Sequence, residues 1–272
     1  MSTTSAPARR LTRKQRRRVS LGLQYALLVV LVLAFAFLAD WGTLKENFGN
    51  TDLAREMFPD VITTAMVNTV KYTVFGFLLG LLLGLVLALM RLSQIRAYRA
   101  LAGLYIEVFR GLPALIIFIF IGYGVPFAFP GWQIPGGLTG QVTLALGLVS
   151  GAYMAETVRA GLQAVPKGQT EAARSLGMSS TRAMVSIVIP QAFRIIIPPL
   201  TNELVLLLKD SSLVYVLGMT LEQQDLTKYG REITQANFNS TPLLVAGLCY
   251  LVLTVPLSYL ARRLEARQAK AR

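Results

Sequence analysis

Histidine is absent from this 272-residue chain, cysteine occurs once, and charged residues make up only 15% of it. The first two scarcities remove disulfides, zinc sites of the usual ligand sets and imidazole acid–base chemistry from the chain's own repertoire. Cys249 lies inside an apolar run and reads as a small packing residue. The phosphate-loop pattern G-x-x-x-x-G-K-[ST] is also missing; "VPKGQT" (165–170) holds Gly and Lys only in reversed order. The chain therefore does not hydrolyse ATP by that route. It also lacks the grouping of acid, base, metal ligand or nucleophile that a membrane-embedded enzyme would need.

What remains is written for lipid. Hydrophobic residues make up 54% of the chain and its mean hydropathy is +0.53. Several runs reach the roughly 17–25 apolar residues that cross a bilayer core as helix, so the fold class is an all-α polytopic membrane protein. Six spans are predicted, at about 22–40, 69–90, 105–127, 139–158, 192–217 and 242–261. The run after "RRLTRKQRRR" resembles a signal peptide at first sight. It continues to Asp40-Trp41 without a small-residue cleavage pattern, which favours an anchoring helix.

The net charge of +13 does not point to nucleic acid, because the cations cluster at the ends of apolar runs with no aromatic interleaving. Seven precede span one, three follow span two, four follow span four and five follow span six, nineteen on one side. The opposite loops hold only Lys45, Arg55, Lys228 and Arg231. This asymmetry predicts both termini in the cytoplasm. The arm 1–21 reads as a topology signal and a contact for anionic membrane lipid. Trp41 and Trp132 read as interfacial anchors at outer span ends. Residues 53–68 suggest a short helix along the outer surface leading into span two.

Two features mark the spans themselves. Gly76, Gly80 and Gly84 recur at i, i+4, i+8, so that face of span two should pack closely on protein. Pro198-Pro199 removes backbone hydrogen bonds inside span five and should kink it.

One stretch breaks the apolar pattern: "EAARSLGMSSTRAMVSIVIP" (171–190). Pro166 suits a helix start and Gly177 the left-handed position after a helix end, which bounds a helix of about three turns. Ala172, Ala173 and Leu176 are expected on one shallow apolar face. Ser179 or Ser180 then caps a second helix that runs to Pro190, where span five begins. The segment is shaped either to enter a groove on another protein or merely to connect two spans, and the residues alone leave both open.

"EAARSLG", followed nine residues later by "IVIP", resembles the cytoplasmic EAA loop of ABC-importer permeases. Glu171, Ala172, Ala173, Gly177, Ile187 and Pro190 match that pattern, while Ile189 replaces its usual Leu. "VFRGLPALIIFIF" (108–120), "AYMAETVRAGLQAVPKGQTEAA" (152–173) and "LTNELVLLLKDSSL" (200–213) are similar to the polar amino-acid branch of that family. The resemblance covers roughly 61–265. It implies a five-helix type I importer core at 61–265, with a coupling loop at about 164–190 and a cytoplasmic tail at 266–272. An extra helix and outer loop at 22–60 precede that core.

It further implies a subunit that is not an enzyme, in a bacterial plasma membrane. Its implied partners are a cytoplasmic ABC ATPase dimer, a second permease copy or paralogue, and an extracytoplasmic amino-acid-binding protein. No cofactor is implied in this chain; ATP and magnesium would sit on the partner ATPase. Glutamate- and glutamine-type substrates are the first expectation, basic amino acids the next. A self-sufficient secondary carrier or channel is the alternative, and the EAA pattern argues against it.

Ionisable residues inside spans are candidates for a substrate pathway. Glu203 follows the double proline, with Asn202 beside it, and could bind an ammonium group or else pair with a basic residue between spans. Lys209 shares a face with Asn202 and Asp210 with Glu203, a polar stripe along span five. Glu107–Arg110 and Glu156–Arg159 have the spacing of intrahelical pairs, and Arg110 precedes a bend at Gly111-Leu112-Pro113 that leaves it a role in the pathway.

Overall fold

The computed structural model describes residues 13–271, and among them all regular structure is helical. Residues 1–12, with Arg9 and Arg10 of the basic arm, lie outside the described residues, as does Arg272. The chain divides into two compact units between Asn50 and Thr51.

The first unit holds α1 (Arg13–Leu38) and α2 (Trp41–Phe48). α1 starts well before the expected span because Arg, Lys and Gln are good helix formers and carry the helix into the basic stretch. Asp40 caps α2, accepting from the Thr43 N–H at 3.0 Å and the Thr43 hydroxyl at 2.8 Å. These donors hold its carboxyl below the ordinary range. The Trp41 indole N–H turns back to the Ala36 carbonyl at 2.7 Å, with its ring edge-on to Phe35.

The second unit begins with α3 (Thr51–Glu56). A π-helical turn, Val61–Met66, then runs unbroken into α4 (Val67–Leu92). The single surface helix expected over 53–68 is therefore two things, a short α3 and the first turns of a long span. Leu53 and Met57 are buried, and Met57 packs with Val61, Leu226 and Ala246.

α5 (Arg96–Gly111) is followed by α6 (Ala114–Ile119), which passes through a π turn into α7 (Val125–Ala128). α5 and the α6–α7 rod meet at 105°. The third expected span, 105–127, is thus no straight crossing. Pro113 forces Leu112 into an extended conformation (ψ 140°), so the helix must stop and turn there. Among the described residues five helices are long and apolar enough to cross a membrane, or six if this bent pair forms one span.

α8 (Gly137–Gln163) packs along α4 through the glycines the sequence singles out. Gly76, Gly80 and Gly84 are all buried. A Cβ on them would run into Leu146, Ser150 and Met154 of α8. Gly147 and Gly151 return the arrangement by receiving Leu79 and Leu83 of α4. Close approach of the two backbones replaces the hydrophobic driving force that lipid cannot supply.

α9 (Lys167–Ser175) and α10 (Ser180–Ala183) follow, and a π turn at Met184–Val188 joins α10 to α11 (Ile189–Asp210). The chain is one continuous helical stretch, Ser180–Val216, with no boundary at Pro190. Pro190 has no N–H for the Ser186 carbonyl, and the widened π turn accommodates that loss without ending the helix. α11 likewise continues through Pro198 and Pro199, which free the carbonyls of Arg194 and Ile195. α12 (Leu226–Asn237) and α13 (Thr241–Ala271) complete the fold. Most large apolar side chains on α4, α11 and α13 that point away from neighbours are exposed, the inverse of a soluble core and what lipid requires.

Candidate functional site

The EAA segment is a short helix with two well-defined ends. Pro166 is the residue before the first turn, and Gly177 has φ +84°, a conformation that favours glycine. The Met178 N–H donates to the Ala173 carbonyl at 3.2 Å and the Gly177 N–H to the Arg174 carbonyl at 3.0 Å. That pair of bonds is the Schellman closure. Ser179, rather than Ser180, caps the next helix and accepts from the Arg182 N–H at 3.3 Å. The Arg174 guanidinium bonds the Ser180 hydroxyl, and Gln191 reaches back to Gln169 at 3.5 Å.

The expected single face divides. Ala173 is 5% exposed and turned into the chain, while Leu176 is 86% exposed and Ala172 and Glu171 are also outside. Helical geometry explains this: residues 172 and 176 are one turn apart, whereas 173 is rotated by about 100°. Ile187 is half-buried and Pro190 exposed. Ala173 therefore seats α9 on its own chain, and Ala172 with Leu176 forms the free edge.

The polar stripe of α11 has the predicted registry. Asn202 and Lys209 are exposed, while Glu203 and Asp210 are half-buried. Among the described residues Glu203 makes no ion pair. Glu156 and Arg159 do pair as the spacing suggests, at 2.5 Å. Glu107 and Arg110 do not: Arg110 lies over the Tyr153 ring, 5.3 Å from its centroid. Its fork extends across to α8, where Tyr153 offers a π face, and away from Glu107 on its own helix.

A second polar cluster has no counterpart among the residues predicted from sequence. Asp225 is fully buried and accepts from the Thr227 N–H (2.9 Å), the Lys228 N–H (3.1 Å) and the Tyr250 hydroxyl (3.1 Å). Burial pushes its carboxyl above the ordinary range, against the opposing pull of those donors. Beside it, Asn68 donates to the carbonyls of Glu222 and Gln224, Tyr72 to that of Gln223, and Thr69 accepts from the Leu226 N–H. This cluster ties the 221–226 segment to the start of α4 and to α13. The signal was present as Asp225 before "LTK", a helix-cap pattern.

A family model described as binding-protein-dependent transport system inner membrane component matches residues 76–270. This chain belongs to that family. As an inner membrane component it is a multi-pass bacterial membrane protein and a permease subunit, without catalysis of its own. The arginine transport system permease protein ArgU of Corynebacterium glutamicum is 37% identical over 241 residues, 84% of this chain and 74% of its own length. The probable glutamine ABC transporter permease protein GlnM of Bacillus subtilis is 39% identical over 190 residues, 65% of this chain and 81% of its own. Among solved structures, an amino acid ABC transporter with histidines superposes with a TM-score of 0.69 at 37% identity, over 79% of this chain and 96% of that one. The MetNI methionine ABC transporter shares the fold, with a TM-score of 0.61 at 20% identity over 78% and 97% of the two chains. The inner-membrane-component match begins at Gly76, so α1, α2 and α3 lie outside it.

Proposed function

We propose that the chain is the permease subunit of an amino-acid importer that couples to a cytoplasmic ATPase pair through α9. The observation that carries the reading is the exposed Ala172–Leu176 edge on a helix closed at Gly177 and seated by Ala173. Such a helix offers a small, firm surface to a groove on a partner. The nineteen-to-four cation asymmetry supports a cytoplasmic position for this loop and both termini. A second permease copy or paralogue and an extracytoplasmic binding protein complete the assembly, with ATP and magnesium on the ATPase.

For the substrate, Glu203 is half-buried on α11 and makes no ion pair among the described residues, which suits it to meet the ammonium of an amino acid, and Arg110, stacked on Tyr153, would meet the carboxylate. Asn202 and Lys209 line the same helix. The names of the arginine and glutamine relatives favour a polar amino acid.

The test uses Ala172→Asp and Leu176→Asp, both at exposed positions that leave the core untouched. Both should insert normally, lose the ATPase subunit on purification and lose ATP-driven uptake. Full co-purification and uptake by both variants would refute the coupling role. Uptake by this chain alone in liposomes, driven by an ion gradient, would replace it with a carrier.

A further inference from the structure

An apolar cleft of about 1040 Å³ opens between α4, α8 and α11, and no residue of the polar stripe lines it. One wall is built by Leu81, Leu85, Leu89 and Leu92 of α4. From Leu81 to Leu92 the helix rises about 16 Å. That is close to half of the roughly 30 Å hydrocarbon core, the depth of a single leaflet. Phe193, Ile196 and Leu200 of α11 form the facing wall.

Polarity is confined to one end. Ser93, Gln163, Lys167 and Thr170 line the cleft where α4 ends and α9 begins, and Lys167 is exposed there. Among the described residues Lys167 makes no ion pair, so its ammonium is available to an incoming anion. A leaflet-deep apolar slot with one cation at its mouth fits a molecule that is apolar over its length and anionic at one end. A soluble amino acid has no use for such a slot.

We infer that this cleft is a binding site for an anionic phospholipid of the cytoplasmic leaflet, with an acyl chain between α4 and α11 and the phosphate at Lys167. The inference rests on the cytoplasmic placement of α9 proposed above. Because Lys167 begins α9, a lipid held there touches the coupling helix at its first turn, and its occupancy sets how firmly that helix is seated.

The test uses the purified permease–ATPase complex in mixed micelles with phosphatidylglycerol or phosphatidylcholine of identical chains, and counts retained lipid by native mass spectrometry. Phosphatidylglycerol should be retained preferentially, and Lys167→Glu should lower its retention by about five-fold or more. Leu85→Trp and Leu89→Trp, at exposed positions that leave the helix packing intact, should block retention of both lipids. Equal retention of the two lipids, or retention unchanged in all three variants, overturns the site. So does a crosslink placing α1 or a second copy in the cleft. Orientation is read separately, by labelling Lys167→Cys in a Cys249→Ser background with a membrane-impermeant maleimide on intact cells. Labelling from outside would refute the topology whatever the lipid count shows.

Discussion

Gly84→Ala tests whether the α4–α8 contact is as tight as its geometry says. A Cβ at residue 84 would lie 2.7 Å from the Met154 Cβ, 3.0 Å from the Ala155 nitrogen and 3.1 Å from the Met154 carbonyl carbon. Carbon atoms pack at 3.5–4.0 Å, so the helices must separate locally by about 0.8 Å. Two of the three obstacles are backbone atoms, which no rotamer change can move. A gap of that size forfeits about a quarter to a half of each neighbouring dispersion contact. Overpacking of this kind costs about 1–3 kcal/mol, against which the better helix propensity of Ala returns at most about 1. Gly247 supplies the control, since a Cβ there meets nothing within 4 Å and only the propensity gain remains. Thermal unfolding of the purified protein in detergent should place the Gly84→Ala midpoint roughly 2–12 °C below that of Gly247→Ala. Equal midpoints would mean that the two helices are not held at glycine distance, and the close-packed interface would be wrong.

Asp225→Ala removes a helix cap and takes one partner from the Tyr250 hydroxyl, together about 2–4 kcal/mol, and hydrogen exchange in α12 should rise accordingly. The pH sign is also fixed: the folded carboxyl titrates above its ordinary 3.8, so native Asp225 binds the extra proton. Its contribution to stability is complete below that value and is lost as pH rises through the raised one, and Asp225→Asn should abolish that slope. Gly177→Val places a β-branched residue at φ +84° and should cost about 1–2 kcal/mol. Exchange would then rise across 166–178, whereas Gly168→Ala, with open space around it, should leave it unchanged. Glu203→Gln should insert normally yet lower amino-acid uptake about ten-fold or more, and an unaltered uptake KM would assign Glu203 a purely structural role.

Period and spacing made much of the fold legible. Glycines four apart announced the α4–α8 interface because only a missing Cβ lets two backbones meet in lipid. Gly177 announced the end of one short helix and the Ser179-Ser180 pair the start of the next through their capping chemistry, and the structure selects Ser179. The errors share a different cause. Hydropathy could not tell a straight span from α5 and the α6–α7 rod, because it records composition and not direction; the 105° turn follows from Pro113. Proline rules ended a helix at Pro190 that a π turn carries onward. For the site, sequence placed Ala172, Ala173 and Leu176 on one face, whereas the step of about 100° from residue 172 turns Ala173 inward. Asp225 escaped notice because its importance comes from Tyr250, a partner 25 residues away.

The coupling role proposed for α9 depends on the placement of Ala173. An exposed helix on a slack loop would absorb a push by bending, and nothing would reach the spans. Here both limbs of the loop enter one apolar cluster, in which Val158 and Val165 from the α8 side meet Val188, Ala192 and Ile196 from the α11 side. Gly161 lets the Ile196 side chain close against the α8 backbone, so the two helices touch directly at that point, beside the cleft. Close-packed interiors shift as blocks between discrete arrangements and do not deform smoothly. Under the proposed coupling, a force applied at Ala172 and Leu176 would be delivered to α8 and α11 together. α8 carries it to α4 through the glycine contacts, and α11 carries Glu203 and Asp210 with it. The residues that would meet the ATPase and those that would meet the substrate are joined by these contacts, and the free Ala172–Leu176 edge of α9 is where a partner would act on them.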